Sequence, residues 1–288
     1  MGWRTVVVDS QCKLTYKCGF LVIKKENTVA VHISEIDVLV LSTPQLCFSG
    51  VAIAELLKAK VKLIFCDERR DPIGELASYY DNYHSSKNIL EQTRWSEDSK
   101  RKAFTVIIRQ KILNQARLLI KLKKQEAELL LNYANEIKED DETNREGHAA
   151  KVYFNALFGN DFERRKDSPV NAALNYGYSL IMSYINREIV ANGNITQIGI
   201  HHCNEFNQFN LSCDLMEPFR VLIDEAVYSD PPTEFDKTYK VKLLKVLSMT
   251  VNYDEESTLV TNAISKYVRS VISALSKNDI ESIKLYEF

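Results

Sequence analysis

The hydrophobic pattern changes period once along the chain. Up to about residue 76 the apolar runs are short and rich in β-branched residues, which predicts strands. The predicted strands cover residues 5–8, 20–23, 29–33, 38–41 and 61–65. Residues 25–27 are typical of a hairpin connection, and residues 50–58 predict a short helix that Ser49 would cap at its N-terminus.

From residue 96 onward the apolar positions recur at mostly helical spacing. The predicted helices cover residues 103–120, 127–134, 149–157, 170–191, 218–228, 238–247 and 258–275. The polar segment 81–95 separates the two patterns and indicates a linker. The sequence therefore predicts an α+β protein, with a small N-terminal β-sheet domain (1–80), a linker (81–95) and a larger all-helical C-terminal domain (96–288).

Composition and charge describe an ordinary globular chain. The 288 residues are 45% hydrophobic, and 37 basic against 39 acidic residues leave a net charge of −2. This balance argues against a histone-like nucleic-acid binder, although a local basic groove remains compatible with it. No segment approaches the roughly 20 apolar residues of a membrane span. The N-terminus reaches Asp9 too soon for a signal peptide, so we expect a cytoplasmic protein.

Several common chemistries find no support in the motifs. The chain has no glycine-rich phosphate loop and no G-x-S-x-G turn, which disfavours nucleotide-dependent enzymes and serine hydrolases. None of the six cysteines forms a C-x-x-C pair. We expect them to be reduced and mostly buried thiols.

The first segment that suggests a site is 145–154. On a helix, Glu146 would share a face with small and aromatic residues, namely Ala149, Ala150 and Tyr153. A carboxylate on such a face is unusual. The alternative is a solvated first-turn glutamate that the helix dipole stabilises, and His148 lies off this face.

The second segment runs from Gly199 to Arg220 and places two histidines before two acids. Its candidate ligands are His201, His202, Asp214 and Glu217. Imidazole and carboxylate ligands together suit Mn²⁺ or Mg²⁺ poised for phosphate chemistry. Two alternatives stay open: a zinc site formed by Cys203, Cys213 and a histidine, or an ordinary loop with one imidazole bonded inward.

Aromatic and basic residues add candidates for nucleic-acid contact. Residues 169–179 predict helix packing, with Tyr178 as an alternative contact to a strand. Basic clusters at residues 100–102, 121–124, 164–166 and 237–245 are either solvated faces or parts of a phosphate-binding groove. The candidate DNA contacts are Arg164, Arg165, Tyr178, Arg220, Lys237 and Lys240.

These segments, in this order, resemble the CRISPR-associated spacer-acquisition integrases, the Cas-one family. The similarity is greatest to the shorter form found in type II-A systems and extends over essentially the whole chain. It is carried by the Glu146-Gly147 helix, by residues 169–178, and by the block that begins at residues 199–202 and ends at residues 214–220.

The resemblance implies a metal site built from Glu146, His202 and Glu217, with Asp214 and His201 as supporting residues. The implied cofactor is Mg²⁺ or Mn²⁺. The implied reaction is metal-dependent strand transfer, in which the 3′-hydroxyl of a short captured DNA attacks a phosphodiester at the repeat boundary of the CRISPR array. With water as the attacking group, the same site would act as a DNA endonuclease.

The resemblance also implies partners. They are double-stranded DNA, a second copy of the chain, and a small dimeric adaptation protein that bridges two integrase dimers. Type II-A systems add a ring-shaped DNA-end binder and an RNA-guided effector nuclease. Two other functions remain as alternatives: a non-catalytic DNA-binding scaffold and a generic metallophosphodiesterase.

Overall fold

The computed structural model describes residues 4–68, 70, 72–76 and 83–288. The chain divides into two compact units, Met1–Asp81 and Asn82–Phe288. The first unit is built from strands and one helix, and the second is built mainly from helices. This is the mixed architecture that the change of hydrophobic period predicts.

The first unit contains eight described strands in two sheets. The strands are β1 (Arg4–Val8), β2 (Cys12–Lys17), β3 (Phe20–Lys24), β4 (Thr28–His32), β5 (Ile36–Leu41), β6 (Leu46–Phe48), β7 (Lys62–Cys66) and β8 (Pro72–Leu76). One sheet has the order β1-β5-β7-β8 and the other has the order β4-β3-β2-β6. Helix α1 (Gly50–Lys58) begins after Ser49, whose hydroxyl accepts the Ala52 N–H at 3.2 Å. Leu14, Leu39 and Leu56 lie in the apolar core of this unit.

The five predicted strands, the hairpin connection at 25–27 and the Ser49 cap are confirmed. Strands β2, β6 and β8 are additional. In β2 the buried residues Cys12 and Leu14 alternate with the exposed Lys13, so this strand carries a period-2 pattern that polar and charged residues dilute.

The second unit contains nine α-helices among its described residues. They are α2 (Ser85–Gln92), α3 (Glu97–Lys121), α4 (Ala127–Glu136), α5 (Arg145–Phe158), α6 (Pro169–Ala191), α7 (Asn210–Met216), α8 (Arg220–Ser229), α9 (Lys237–Leu244) and α10 (Val260–Lys277). A 3₁₀ turn, Glu217–Phe219, joins α7 to α8. An antiparallel hairpin of β9 (Thr250–Tyr253) and β10 (Glu256–Leu259) also lies here, so this unit is not all-helical as predicted.

The segment predicted as a linker, residues 81–95, contains helix α2. Gln92 at its end is fully buried, and its side-chain amide donates to the carbonyl oxygens of Ile195 and Ile198 at 2.8 and 2.9 Å. These hydrogen bonds satisfy a loop that lies far away in sequence, and polarity alone cannot distinguish such a residue from one in a solvated linker.

Helix α3 is the central helix of the second unit and carries both apolar and polar buried residues. Ile107, Ile112 and Leu119 are fully buried, and so is Asn114. The Asn114 amide donates to the carbonyl oxygens of Pro218 and Tyr286 at 2.9 and 3.0 Å. Asn114 thereby connects α3 to the turn Glu217–Phe219.

All six cysteines are free thiols, as expected. Only Cys12 and Cys66 are buried, whereas Cys18, Cys47 and Cys203 are exposed, so the prediction of mostly buried thiols is wrong. In the described part of the chain, none of the helices combines the length and the apolar character that crossing a bilayer requires.

Candidate active site

Glu146 lies in the first turn of α5. The Asp141 carboxylate accepts the backbone N–H groups of Arg145 and Glu146 at 2.7 and 2.9 Å, and the Asn144 side chain accepts that of Gly147 at 3.3 Å. These contacts satisfy the free donors of the helix start. The predicted helix face is observed, because Ala149 and Tyr153 are fully buried on the same side. The Glu146 side chain itself is one-third exposed and contacts Lys111.

Glu217 lies in the 3₁₀ turn between α7 and α8, and its side chain is only 5% exposed. One carboxylate oxygen, Oε1, is 2.8 Å from Nη2 of Arg220. The other, Oε2, is buried and forms an ion pair of 2.5 Å with Nζ of Lys111. Each carboxylate oxygen of Glu217 therefore contacts one cationic side chain.

Lys111 joins the two glutamates. Its side chain extends from the middle of α3 and is 10% exposed, and its ammonium group contacts both the Glu146 and Glu217 carboxylates. Carboxylates from α5 and from the turn before α8 thus meet at a single cation. The sequence of α3 offers one sign of this ion-pair cluster, because the charged Lys111 lies among the buried apolar residues Ile107, Ile108 and Ile112.

The pKa values in this cluster follow from charge pairing. Burial opposes the ammonium form of Lys111, but the charges of Glu217 and Glu146 outweigh it, so the pKa of Lys111 is raised. Burial likewise opposes the Glu217 carboxylate, and Arg220 and Lys111 outweigh that cost, so the pKa of Glu217 is lowered. Lys111 and Glu217 are therefore both charged at neutral pH.

His202 is oriented by a buried acid. Nδ1 of His202 lies 2.6 Å from Oδ1 of Asp214, whose side chain is fully buried. The hydrogen bond to Asp214 raises the pKa of His202, against the effect of burial, and the charges of Glu217 and Glu146 contribute further. In the neutral ring, a proton held at Nδ1 leaves the lone pair on Nε2, which is the arrangement that metal-binding histidines use.

Asp214 also holds the loop that carries the histidines. Its two oxygens accept the backbone N–H groups of Ile200, His201 and His202 at 2.6, 3.1 and 3.2 Å. A Cβ atom at Gly199 would lie 2.3 Å from the His202 carbonyl oxygen and 2.8 Å from Asp214 Oδ2. The close approach of loop and helix therefore requires glycine at this position.

The His201 side chain has different partners from that of His202. Its ring stacks on Phe104 with centroids 3.8 Å apart and planes 6° apart, and Nδ1 lies 2.9 Å from Oδ1 of Asp140. An open cavity of about 670 Å³ lies beside both histidines. Its wall carries both signs of charge, with Lys100 and Arg101 beside Glu97, Asp140 and Glu205.

The donor set of the site fits a divalent metal ion. Two carboxylates and one imidazole are suitable donors for Mg²⁺ or Mn²⁺, and the two carboxylates already hold one cation, the ammonium group of Lys111. Within the described ranges, however, no three histidine, cysteine, aspartate or glutamate side chains already form a metal-binding group. Lys111 instead stands between the carboxylates.

The same finding bears on the zinc alternative. Cys203 is exposed, and Cys213 is half-buried with its sulfur 3.6 Å from the Asn207 amide nitrogen. Both cysteines lie within the described part of the chain, where the side chains form no metal-binding group, and this holds equally for Glu146, His202 and Glu217. The zinc site stays an untested alternative.

Arg220 connects the two glutamates and Lys111 to helix α6, which carries Tyr178. Its guanidinium lies over the ring of Tyr178, 4.7 Å from the centroid, and Arg164 lies over the same ring at 5.5 Å. The Tyr178 and Tyr153 hydroxyls both donate to Asp224, whose pKa burial raises to about 6. This buried network fixes the position of Arg220 beside Glu217.

The other candidate DNA contacts differ in exposure. Arg165 and Lys237 are exposed, and Arg164 is half-buried with its guanidinium bonded to the Asn171 and Asn175 side chains. Tyr178 and Lys240 are 7% and 8% exposed. These two side chains pack inside the helical unit and not on an open surface, so they are poorly placed to touch a DNA strand.

Comparison with known proteins was made against families, sequences and solved structures. The family model described as CRISPR associated protein Cas1 matches residues 5–230. The CRISPR-associated endonuclease Cas1 of Neisseria meningitidis serogroup C (strain 8013) is 31% identical over 295 aligned positions, which cover 100% of this chain and 97% of that protein. Since this relative aligns from end to end, both units take part in the similarity.

Solved structures share the fold at lower sequence identity. A casposase bound to integration product superposes with a TM-score of 0.74 at 18% identity, covering 96% of this chain and 91% of the casposase. A chain of a Cas6-RT-Cas1–Cas2 complex superposes with a TM-score of 0.71 at 16% identity. That match covers 99% of this chain and 36% of the longer one.

Proposed function

This chain belongs to the Cas1 family of CRISPR-associated proteins, and we propose that Glu146, His202 and Glu217 form its active site for integrating captured DNA into a CRISPR array. The chain is an endonuclease and integrase of CRISPR adaptation, in keeping with its full-length similarity to a Cas1 endonuclease. The observation that supports the site most directly is the meeting of Glu146 and Glu217 at one cation, with the Asp214-bound His202 nearby.

The reaction is a transesterification at phosphorus. The 3′-oxygen of the captured DNA forms a bond to the phosphorus at the repeat boundary, and the 3′-oxygen of the target strand leaves. A bound Mg²⁺ or Mn²⁺ would supply Lewis-acid stabilisation of the charge that develops on the phosphate. Glu146 and Glu217 would hold this ion through carboxylate oxygens, and His202 would hold it through Nε2.

The neighbouring residues support this chemistry by orientation and charge. Asp214 keeps the proton of neutral His202 on Nδ1 and so directs the Nε2 lone pair outward. The Arg220 side chain is 28% exposed, so its guanidinium can offer positive charge to a phosphate oxygen while its Nη2 stays on Glu217.

The partners follow from the same assignment. Double-stranded DNA is the substrate, and the open cavity beside the histidines offers space for a strand. We propose that the chain acts as a homodimer with a Cas2-like protein, the small dimeric partner, because a structural neighbour is part of a Cas1–Cas2 complex. The type II-A ring protein and effector nuclease are further proposed partners. Integration into the CRISPR array would take place in the bacterial cytoplasm.

The experiment is an integration assay with a labelled short duplex and a plasmid that carries the repeat, in the presence of Mn²⁺ and the small partner. Glu146→Gln should reduce integration by roughly 100-fold or more, because removing a charged ligand removes most of the ion's stabilisation of the transition state. The matched control is Glu142→Gln, which neutralises an exposed carboxylate just before α5. Full activity of Glu146→Gln would overturn the proposal.

A further inference from the structure

We propose that the ammonium group of Lys111 is a built-in cation that occupies the place of the divalent ion between Glu146 and Glu217, and that it withdraws before that ion binds. This inference rests on the proposed function, because it takes both carboxylates as ligands. It adds a residue from α3 whose role is to stabilise the metal-free site and to set its affinity for metal.

The contacts show why Lys111 is not an ordinary surface lysine. Its side chain is 10% exposed and that of Glu217 is 5% exposed, whereas most lysine–carboxylate pairs lie in water and contribute little. One ammonium contacts carboxylates from two elements that are distant in sequence. Without it, two carboxylates would face each other in a partly buried site, and such an arrangement is costly.

The contacts argue for exchange rather than addition. Nζ of Lys111 touches both of the carboxylates that the ion would bind. A divalent ion on the same oxygens would bring two cations close together, and like charges at that distance repel strongly in a partly buried site. Replacement of the ammonium group by the ion removes this repulsion.

The side chain can make such a movement. Lysine carries its charge on a flexible four-carbon stem, unlike the rigid fork of arginine. The Glu146 end of the cluster is one-third exposed, so the ammonium group has a route from the two carboxylates towards solvent.

The test measures Mn²⁺ binding in the absence of DNA, by titration calorimetry or by the electron-spin signal of free Mn²⁺. Lys111→Met should bind Mn²⁺ more tightly than the wild type, on the order of tenfold or more, because the competing charge at contact distance is gone. Lys111→Gln should change affinity in the same direction. Without Mn²⁺ both variants should melt at a lower temperature than the wild type, and saturating Mn²⁺ should raise their melting temperature more.

The matched control is Lys121→Met. Lys121 lies on the same helix and pairs with Glu225 at 2.6 Å, but its side chain is 60% exposed. This variant should bind Mn²⁺ like the wild type. Equal or weaker Mn²⁺ affinity in the Lys111 variants would overturn the inference.

A measurement on the wild-type protein covers the case in which the variants do not fold. A crystal structure with Mn²⁺ should show Nζ of Lys111 out of contact with at least one of the two carboxylates. Nζ still touching both Glu146 and Glu217 beside a bound ion would overturn the inference.

Glu217→Gln separates this inference from the proposed function. If Glu217→Gln leaves Mn²⁺ binding unchanged, the proposed metal site itself is wrong, and the inference about Lys111 fails with it. If Glu217→Gln weakens binding while Lys111→Met and the wild type bind equally, the proposed function stands and only the role of Lys111 is refuted.

Discussion

At the scale of single residues, the two adjacent histidines have separate environments. His202 is hydrogen-bonded to the fully buried Asp214, whereas His201 stacks on Phe104 and pairs with Asp140. A buried carboxylate behind an imidazole fixes the ring and its tautomer far better than a partly exposed one does. This difference favours His202 as the ligand, as the family resemblance implies.

The histidine assignment predicts unequal effects of two matched substitutions. Asp214→Asn should weaken Mn²⁺ binding by roughly 10- to 100-fold, because it removes the charge that orients His202. Asp140→Asn should leave the affinity unchanged, and asparagine tolerates the left-handed backbone at this position, where φ is 58°. Titration of both variants with Mn²⁺ is the measurement. The reverse order of effects would assign the ligand role to His201.

Individual residues also show where sequence reasoning reached its limit. Glu146, His202 and Glu217 were proposed because they match a family pattern in order and spacing, and their assignment as ligands stays a prediction. Lys111 was missed, since a lysine in a helix is solvated in most proteins. The interrupted apolar stripe of α3 was the available signal, but only packing identifies the carboxylates on the other side.

At the scale of elements, the loop between α6 and α7 depends on one glycine. Gly199 brings the loop so close to α7 that Asp214 can accept three consecutive backbone N–H groups. These bonds compensate the burial of a carboxylate and place His202 at the same time. The loop and α7 therefore form one structural unit, which contains residues 199–202, the start of the family motif in the sequence.

Gly199→Ala should disrupt this unit. The new methyl group would overlap a backbone oxygen, which cannot move as a flexible side chain does, so we expect a loss of about 1–3 kcal/mol in the free energy of unfolding. Mn²⁺ affinity should fall with it. Gly50→Ala is the control, because a Cβ there meets no atom within 4 Å. Denaturant unfolding measures the stabilities, and equal stability of the two variants would contradict this reading of the loop.

Elements with strong patterns were predictable, and elements defined by their partners were not. The strands with β-branched runs and the long amphipathic helices follow from periodicity. Strand β6 is three residues long and β8 is antiparallel at a sheet edge, so neither carries a clear local signal. The polar composition of residues 81–95 predicts a linker where helix α2 lies, because the buried residue that anchors this helix, Gln92, is itself polar.

At the scale of the whole molecule, the second unit assembles the candidate site by packing α3 against two other elements. Glu146 comes from α5 and Glu217 from the turn before α8, and Lys111 on α3 contacts both. Asn114, one turn further along α3, holds the same turn through the Pro218 carbonyl oxygen. Such convergence depends on tertiary packing, which the order of motifs in the sequence does not contain.

The full-length similarity to a Cas1 endonuclease places this chain in the Cas1 family, and a casposase shares its fold. The role of the charged cluster is a separate question from the family. A purely structural cluster would bind no Mn²⁺ at Glu146 and Glu217. An active site would bind the ion there, whether or not Lys111 leaves both carboxylates.

The most direct test is anomalous diffraction from crystals grown with Mn²⁺. The account predicts one strong peak within coordination distance, roughly 2.0–2.3 Å, of a Glu146 oxygen, a Glu217 oxygen and Nε2 of His202. A peak that touches none of these three side chains, or no peak at saturating Mn²⁺, would contradict it.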